Sequence, residues 1–335
     1  MLMNRKISIA PMVNITDEHF RYLIRLLSKK VTLYTPMISA KSIIMGDVKK
    51  IVKQNPLESP IAIQIATNSK NDALKAIQIL EKHFNFDEYN LNVGCPSLKI
   101  QNANCGACLM GNANQVGEIL KTMKENTNKP ISIKHRLGIR PLSSDYKNES
   151  YSEVKNFVKI ISDFGIKNFI VHARIAILKG FSPKNNRNIP KLRHEFVYKL
   201  KKENKNLFIE INGGINNSEQ IKKHLSFVDS VMIGRSAFEN PYFIANASRE
   251  FLNETDEILT RKDILMQMVE YIKEYENYLS INILFKHLMG IVFSKEGAKK
   301  FRQNLTAPFP KNLKKHEILL KAIETLPEKI LNSNS

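Results

Sequence analysis

The sequence predicts an α/β chain: a (β/α)8 TIM barrel with a C-terminal all-helical domain. Two observations lead there. Up to about residue 240, short β-rich runs alternate with longer segments whose apolar residues recur at helical spacing, and beyond about residue 245 no further strand is evident. Alternation of this kind makes parallel βαβ units, and eight of them over roughly 240 residues suit a closed barrel. A doubly wound open sheet, the rival architecture, usually carries a glycine-rich turn after its first strand. Here Pro-Met stands after the first run instead.

In chain order, the expected strands cover 7–11, 32–37, 61–65, 88–94, 131–136, 168–173, 207–214 and 230–235. Helical spacing marks 17–29, 73–83, 115–124, 152–164 and 218–225 between them. The barrel is placed at 1–243 and the helical domain at 244–335, with amphipathic helices over 263–278 and 281–293 and a frayed polar tail, LNSNS. A barrel should collect its functional side chains where strands end. Polar or unusual residues do stand there: Pro11 and Met12, Gln64, Asn90 with Asn92, Lys134 with Arg136, His172 with Arg174, Asn212, and Arg235. Polar groups inside apolar strands cost several kcal/mol unless partnered, so seven strand ends behaving alike argue for a site.

The 335 residues are 43% hydrophobic and 25% charged, ordinary for a soluble globular protein. No apolar run approaches the roughly 18 residues of a membrane span, and the N-terminus lacks the apolar stretch of a signal peptide. Three cysteines without an export signal predict a reducing, cytoplasmic setting. The formal charge is +19, which favours a polyanionic partner, nucleic acid first. A lysine-rich composition would give the same number without any such partner. Residues 245–335 hold 14 basic and 12 acidic side chains, so nearly all the excess lies in the barrel. Within the helical part, however, Lys286, Lys295, Lys299, Lys300, Arg302, Lys311, Lys314 and Lys315 face one acid, Glu296. Such a stripe either tracks a phosphate backbone or is a solvated helix face.

The last two strands end in Asn212-Gly213-Gly214 and Gly234-Arg235, where barrels often seat a phosphate on backbone N–H groups. With no Walker motif or dinucleotide fingerprint, FMN suits this position. Lys134, held near the barrel axis, could stabilise the negative charge of a reduced flavin, or snorkel to solvent. His172 could serve a phosphate, a substrate or the fold. Cys95 follows the strand over 88–94 directly and precedes a proline, so it would project over the barrel mouth as nucleophile or general acid, unless it is a small buried hydrophobe. Cys105 and Cys108 form a C-x-x-C without further ligands nearby. They are expected to pack, and no metal is expected.

The motifs NLNVGCPS, IQNANCGACLM, IKHRLGI, FIVHAR, LKGFSPKNNR, INGGI and VMIGR resemble those of the bacterial dihydrouridine synthases, most closely the A-type subfamily. The resemblance runs from IAPM near the start to GAKKFRQNL near residue 305. It implies an FMN-binding barrel and a helical domain that grips tRNA. It places FMN contacts at Pro11, Met12, Gln64, Lys134, His172, Asn212, Gly213, Gly214, Gly234 and Arg235. It implies that NADPH reduces the flavin, that hydride passes to C6 of a uracil, and that Cys95 protonates C5. Asn92, Lys184, Arg187, Lys299 and Arg302 match positions that contact tRNA, and A-type enzymes act at D-loop positions 20 and 20a. A monomer with no obligatory protein partner is expected. Four departures bear on substrate detail and efficiency: Pro36 in place of Glu, Ala66-Thr67 in place of Gly-Gly, Arg140 in place of an acid, and Ile283 in place of a polar residue. Two other readings stay open: an FMN barrel of the dihydroorotate dehydrogenase type, and a tRNA-binding protein without activity. The basic helical region and the Lys184/Arg187 motif weigh against the first, and the intact motifs weigh against the second.

Overall fold

The computed structural model describes residues 2–145, 147, 149–275, 280–309 and 312–334. They gather into two units, Met1–Val13 with Thr32–Gly234, and Asn14–Val31 with Arg235–Ser335. In the first unit the strands are β1 (Ile7–Ile9), β2 (Leu33–Tyr34), β3 (Ile61–Ala66), β4 (Glu88–Val93), β5 (Ile131–Arg136), β6 (Asn168–His172), β7 (Phe208–Asn212) and β8 (Ser230–Ile233). From β2 to β8 they pair in chain order, all parallel, and β8 pairs with β1. A bridge between Ser8 and Thr32, with Ile9 N–H donating to the Thr32 carbonyl at 2.9 Å, joins β1 to the start of β2. The fold is a (β/α)8 barrel.

Strand identities follow the expected runs, with one break. The run over 32–37 divides into β2 and a separate piece, Ile38–Ser39, both paired with β3. Pro36, with no N–H to give, stands in the gap. Helices Lys70–His83, Ala113–Glu125, Tyr151–Asp163 and Ser218–Leu225 fall where apolar spacing put them. Helix His194–Glu203 was not expected. It buries only Val197 and Leu200, too narrow an apolar stripe to register as a period.

Alternation along the strands sorts their side chains. Tyr89, Leu91 and Val93 of β4 and Ile131 and Ile133 of β5 are buried on the outer face, as expected for strands covered on both sides. The alternate residues fill the barrel. Near its foot lies a polar layer around Arg5. The Arg5 guanidinium donates to Glu210 through Nε, at 3.3 and 3.1 Å, and through Nη2, to Glu88 through Nη1, and to the Tyr34 hydroxyl at 2.7 Å. Tyr34 donates onward to Glu88 at 2.7 Å, Ser132 donates to Glu88, and Ser8 and Ser230 donate to Glu210 at 2.6 and 2.9 Å. Burial pulls the Arg5 pKa down, but Glu210 and Glu88 more than reverse this and hold it well above its usual value. Burial raises Glu88, with Arg5 drawing it back. Ala10, Tyr34, Ala62, Ile170 and Met232 form an apolar cluster, with Met12 packed against it.

The second unit is helical. Helix Glu18–Leu27, which follows β1 in sequence, belongs to it, together with Tyr242–Leu252, Arg261–Tyr275, Ile281–Leu288, Ala298–Asn304 and Lys315–Ile323. Asp17 caps the first of these, accepting from Phe20 N–H at 3.1 Å and from His287 Nε2 at 2.9 Å. Burial would raise the Asp17 carboxyl, but the hydrogen bond and charge of His287 outweigh it and lower the pKa. The expectation of a frayed tail is corrected. Arg261 donates from its backbone N–H to the Ser333 carbonyl at 3.0 Å and from Nη1 to Ser333 Oγ at 2.8 Å, which ties the chain end to a buried guanidinium. Residues 276–278, expected as helix, lie outside the described residues, as does Lys311. Among the described residues no helix is long and apolar enough to cross a membrane.

Removing Arg5 strands two buried carboxylates, so Arg5→Ala should lower stability by about 3–5 kcal/mol in urea unfolding at pH 7. An unchanged midpoint would show that the polar layer does not hold the barrel.

Candidate active site at the barrel mouth

From the polar foot, inward side chains of β3, β4 and β5 continue toward the C-terminal ends of the strands. Asn90 Nδ2 donates to Ser132 Oγ at 2.6 Å, Gln64 Nε2 to Asn90 Oδ1 at 2.7 Å, and Asn92 Nδ2 to Gln64 Oε1 at 2.7 Å. Asn92 Oδ1 then accepts from the backbone N–H groups of Gly94, at 3.2 Å, and Cys95, at 3.0 Å. Asn92 was expected at the tRNA. Its amide lies buried under the cysteine loop, between Gln64 and Cys95. The Cys95 carbonyl accepts from Ala107 N–H at 2.9 Å, and its thiol, part-exposed, lies 3.4 Å from Ser97 Oγ. Cys105 and Cys108 lie in the segment that braces this loop. Cys105 is buried, and its thiol donates to the Ala103 carbonyl at 3.3 Å. No group of metal-ligating side chains occurs among the described residues.

Across the mouth, Lys134 Nζ donates to Asn212 Oδ1 at 3.1 Å, and Asn212 Nδ2 donates to the Met232 carbonyl at 2.8 Å. Burial pushes the Lys134 ammonium down to about 8. Arg136 pushes the same way, while Glu210 and Cys95 pull it back. Gly213 and Gly214 follow Asn212 with φ of +120° and +77°. A Cβ on Gly214 would come 2.5 Å from Leu192 Cδ1, and one on Gly213 would lie 2.9 Å from Leu192 Cδ2 and 3.5 Å from His172 Nε2. Only glycine fits this turn. Gly234 ends β8 differently: its absent Cβ would meet nothing nearer than Ala10 Cβ at 4.0 Å, so open space lies before it. Pro11 and Met12 stand just beyond β1.

Gln64, Asn92, Cys95, Lys134, His172, Asn212, Gly213 and Gly214 thus share the C-terminal end of one barrel. Lys184 and Arg187 lie exposed in the segment after β6. Arg235 opens the second unit, and Lys299 and Arg302 lie on its helix Ala298–Asn304, with Lys299 exposed and Arg302 Nε donating to the Met289 carbonyl at 3.0 Å. Arg140, a departure from the family pattern, forms a two-point pair with Glu153 at 2.8 and 2.7 Å. Its charge is therefore met locally. The residue without an assigned role in the sequence is Arg136. It is buried, and Nε donates to the Gly94 carbonyl at 3.0 Å while Nη1 donates to Ile175 and Asn186 carbonyls at 2.9 and 3.1 Å. Its position at the end of a strand alternating Ser132, Lys134, Arg136 was the available signal.

The pattern of the dihydrouridine synthase family matches residues 8–329. The chain belongs to the dihydrouridine synthase family. It is 40% identical to a protein of Synechocystis sp. over 90% of this chain and 88% of the relative. It is 36% identical to one of Pseudomonas putida over 96% and 94%, and 36% identical to one of Vibrio vulnificus over 97% and 98%. Each of these relatives is named tRNA-dihydrouridine(20/20a) synthase.

A lysine whose folded pKa is depressed weakens the fold wherever it must be charged. In ligand-free protein Lys134→Met should therefore raise stability at pH 7. The gain should fade as pH rises from about 8 toward the unfolded value of about 10.4. Denaturation curves at pH 7 and pH 10 check this, and an equal effect at both would mean that Lys134 is not buried in charged form.

Proposed function

We propose that the protein reduces uridine to 5,6-dihydrouridine in the tRNA D-loop, at positions 20 and 20a, with FMN as cofactor, NADPH as reductant and Cys95 as proton donor. The observation that carries this reading is the placement of Cys95 above a barrel mouth that holds a half-buried ammonium and a glycine turn, in a chain whose relatives are named tRNA-dihydrouridine(20/20a) synthase.

The residues present fit a flavin phosphate and an electron-rich ring. Lys134 is a half-buried cation hydrogen-bonded to a neutral amide, so an anion beside it relieves its desolvation. Gly213, Gly214 and Gly234 would hold the phosphate with Arg235, Asn212 and His172 would bind alongside, and Gln64, Pro11 and Met12 would line the ring. When bound and reduced by NADPH, FMN would supply the hydride that adds to C6 of the uracil. Cys95 gives its thiol proton to C5, which completes the reduction of the C5–C6 double bond and leaves a thiolate. The target base must leave its stack to reach the thiol. Asn92 holds the backbone of Cys95 in place, while Lys184, Arg187, Lys299 and Arg302 bind tRNA. The helical region, 244–335, serves as the tRNA-binding domain, the barrel as 1–243, and the enzyme acts as a cytoplasmic monomer.

Mass-spectrometric mapping of tRNA from cells with and without the gene tests the whole reading, with dihydrouridine lost at 20 and 20a. An unchanged map in a strain with no second such gene would refute it. Cys95→Ala should keep flavin and tRNA binding but slow dihydrouridine formation on the order of 100-fold or more. Wild-type turnover would remove the assigned proton donor. Replacing Lys299 and Arg302 with Ala should weaken tRNA binding and reduce its log–log salt slope by about two, with NADPH oxidation by the flavin unchanged. An unaltered slope would place the phosphate contacts elsewhere.

A further inference from the structure

Cys95 is the end of the amide chain, yet its loop has a second support that the reaction as described does not use. Gly94, the residue before it, presents its carbonyl to Arg136 Nε at 3.0 Å. The guanidinium is itself fixed, because Nη1 donates to the carbonyls of Ile175 and Asn186. Asn186 is buried and locked in turn: its Oδ1 accepts from Ile177 N–H at 2.7 Å and its Nδ2 donates to the Ile177 carbonyl at 2.9 Å. The hydrogen bonds of Arg136 thus go to carbonyls and none to a carboxylate, among the described residues. Burial pushes its guanidinium down to about 10, the Cys95 sulfur pulls it back up, and Arg174 and Arg187 add to the depression. A cation buried with neutral acceptors is short of negative charge. The thiolate that remains when Cys95 has given away its proton supplies it.

We propose that Arg136 is the positioning residue for the proton transfer, holding the Gly94–Cys95 peptide by its carbonyl and stabilising the thiolate that Cys95 becomes. In this step the S–H bond breaks and a C–H bond forms at C5. The electron pair of the S–H bond stays on sulfur, while the hydride already delivered to C6 provides the two reducing electrons. The inference rests on the assignment of Cys95 as the acid. It adds to that assignment a fixed charge hydrogen-bonded to the carbonyl of the residue before Cys95, of the kind that lowers barriers when it is oriented before the reaction begins. Lysine would keep the charge but not the planar fork that reaches three carbonyls.

The test separates the two half-reactions in stopped flow, with Arg136→Gln, Arg136→Lys and Cys95→Ala in parallel. Arg136→Gln should leave flavin reduction by NADPH unchanged and slow flavin reoxidation by tRNA on the order of 100-fold. Arg136→Lys should slow the tRNA half-reaction by about tenfold, in the same selective way. In flavin-free protein at neutral pH, iodoacetamide should alkylate Cys95 more slowly in Arg136→Gln than in the wild type, with Arg136→Lys close to wild type. A merely structural brace predicts the opposite, because a loosened loop exposes its thiol. Wild-type reoxidation in Arg136→Gln, faster alkylation, or equal slowing of both half-reactions in either variant overturns the proposal. Should Arg136→Gln not fold, the Lys variant decides alone, since selective slowing supports the role and any other pattern excludes it. A fully active Cys95→Ala would instead overturn the reading of Cys95, and an inactive Cys95→Ala beside a fully active Arg136→Gln would overturn only the role of Arg136.

Discussion

A single guanidinium between two buried carboxylates fixes the foot of the barrel. Arg5 comes from the residues just before β1, Glu88 from the first position of β4 and Glu210 from the middle of β7, so one side chain ties three parts of the closed sheet. Burying charge is unfavourable unless each oxygen and each N–H finds a partner. Here Tyr34, Ser8, Ser132 and Ser230 complete the set. A cluster so fully bonded adds little net stability over an apolar layer of the same shape, yet it tolerates only one arrangement of the strands around it. Once β4, β5 and β7 are in that register, Asn90, Asn92, Lys134 and Asn212 have no choice of height within the barrel.

The mouth is the electrical reverse of the foot. Two glutamates outnumber Arg5 below, while above them Lys134 and Arg136 hydrogen-bond to amide and carbonyl oxygens rather than to acids. Both cations are held below their usual pKa by burial, and both are drawn back by the Cys95 sulfur. Neutral acceptors keep the cations soluble in the protein without cancelling their field. A carboxylate in either place would make a tighter ion pair and a weaker host for anions. The cost in stability sits at the mouth, and Ala10, Ala62, Ile170 and Met232 pack with Tyr34 as an apolar cluster inside the barrel.

Much of this was legible in the sequence. Periodicity separated strands from helices because each parallel strand is buried on both faces and each barrel helix on one, two patterns that differ in plain hydropathy. Strand-end polar residues located the mouth, and motif resemblance located the family. What escaped depended on partners distant in sequence. Glu88 and Glu210 look like ordinary charged residues until Arg5 lies between them, and nothing in the sequence shows that the Asn92 amide bonds under Cys95. The tail was read as frayed because LNSNS is polar, and the Arg261 guanidinium that binds Ser333 lies 72 residues away. Helix Glu18–Leu27 was placed by the helical spacing of its apolar residues, whereas the hydrogen bond from His287 to its capping Asp17 depends on a residue 270 positions away.

The row of amides that climbs the barrel has a direction. Asparagine and glutamine can each be turned end for end, and taken singly neither Asn90 nor Gln64 has a reason to prefer one orientation, whereas Asn92 must turn its oxygen to the backbone N–H groups of Gly94 and Cys95, which can only donate. Glu88 imposes the same sense from the foot, because a carboxylate paired with the Arg5 guanidinium accepts from its neighbours. Ser132 must point its proton down at it, so Asn90 must offer nitrogen to Ser132, Gln64 nitrogen to Asn90, and Asn92 nitrogen to Gln64. The oxygen left uppermost on Asn92 is then the atom that receives the N–H groups of Gly94 and Cys95. The sense of every dipole in the column is thus set at both ends, by the Glu88 carboxylate at the foot and by the two backbone N–H groups that seat Cys95 at the mouth.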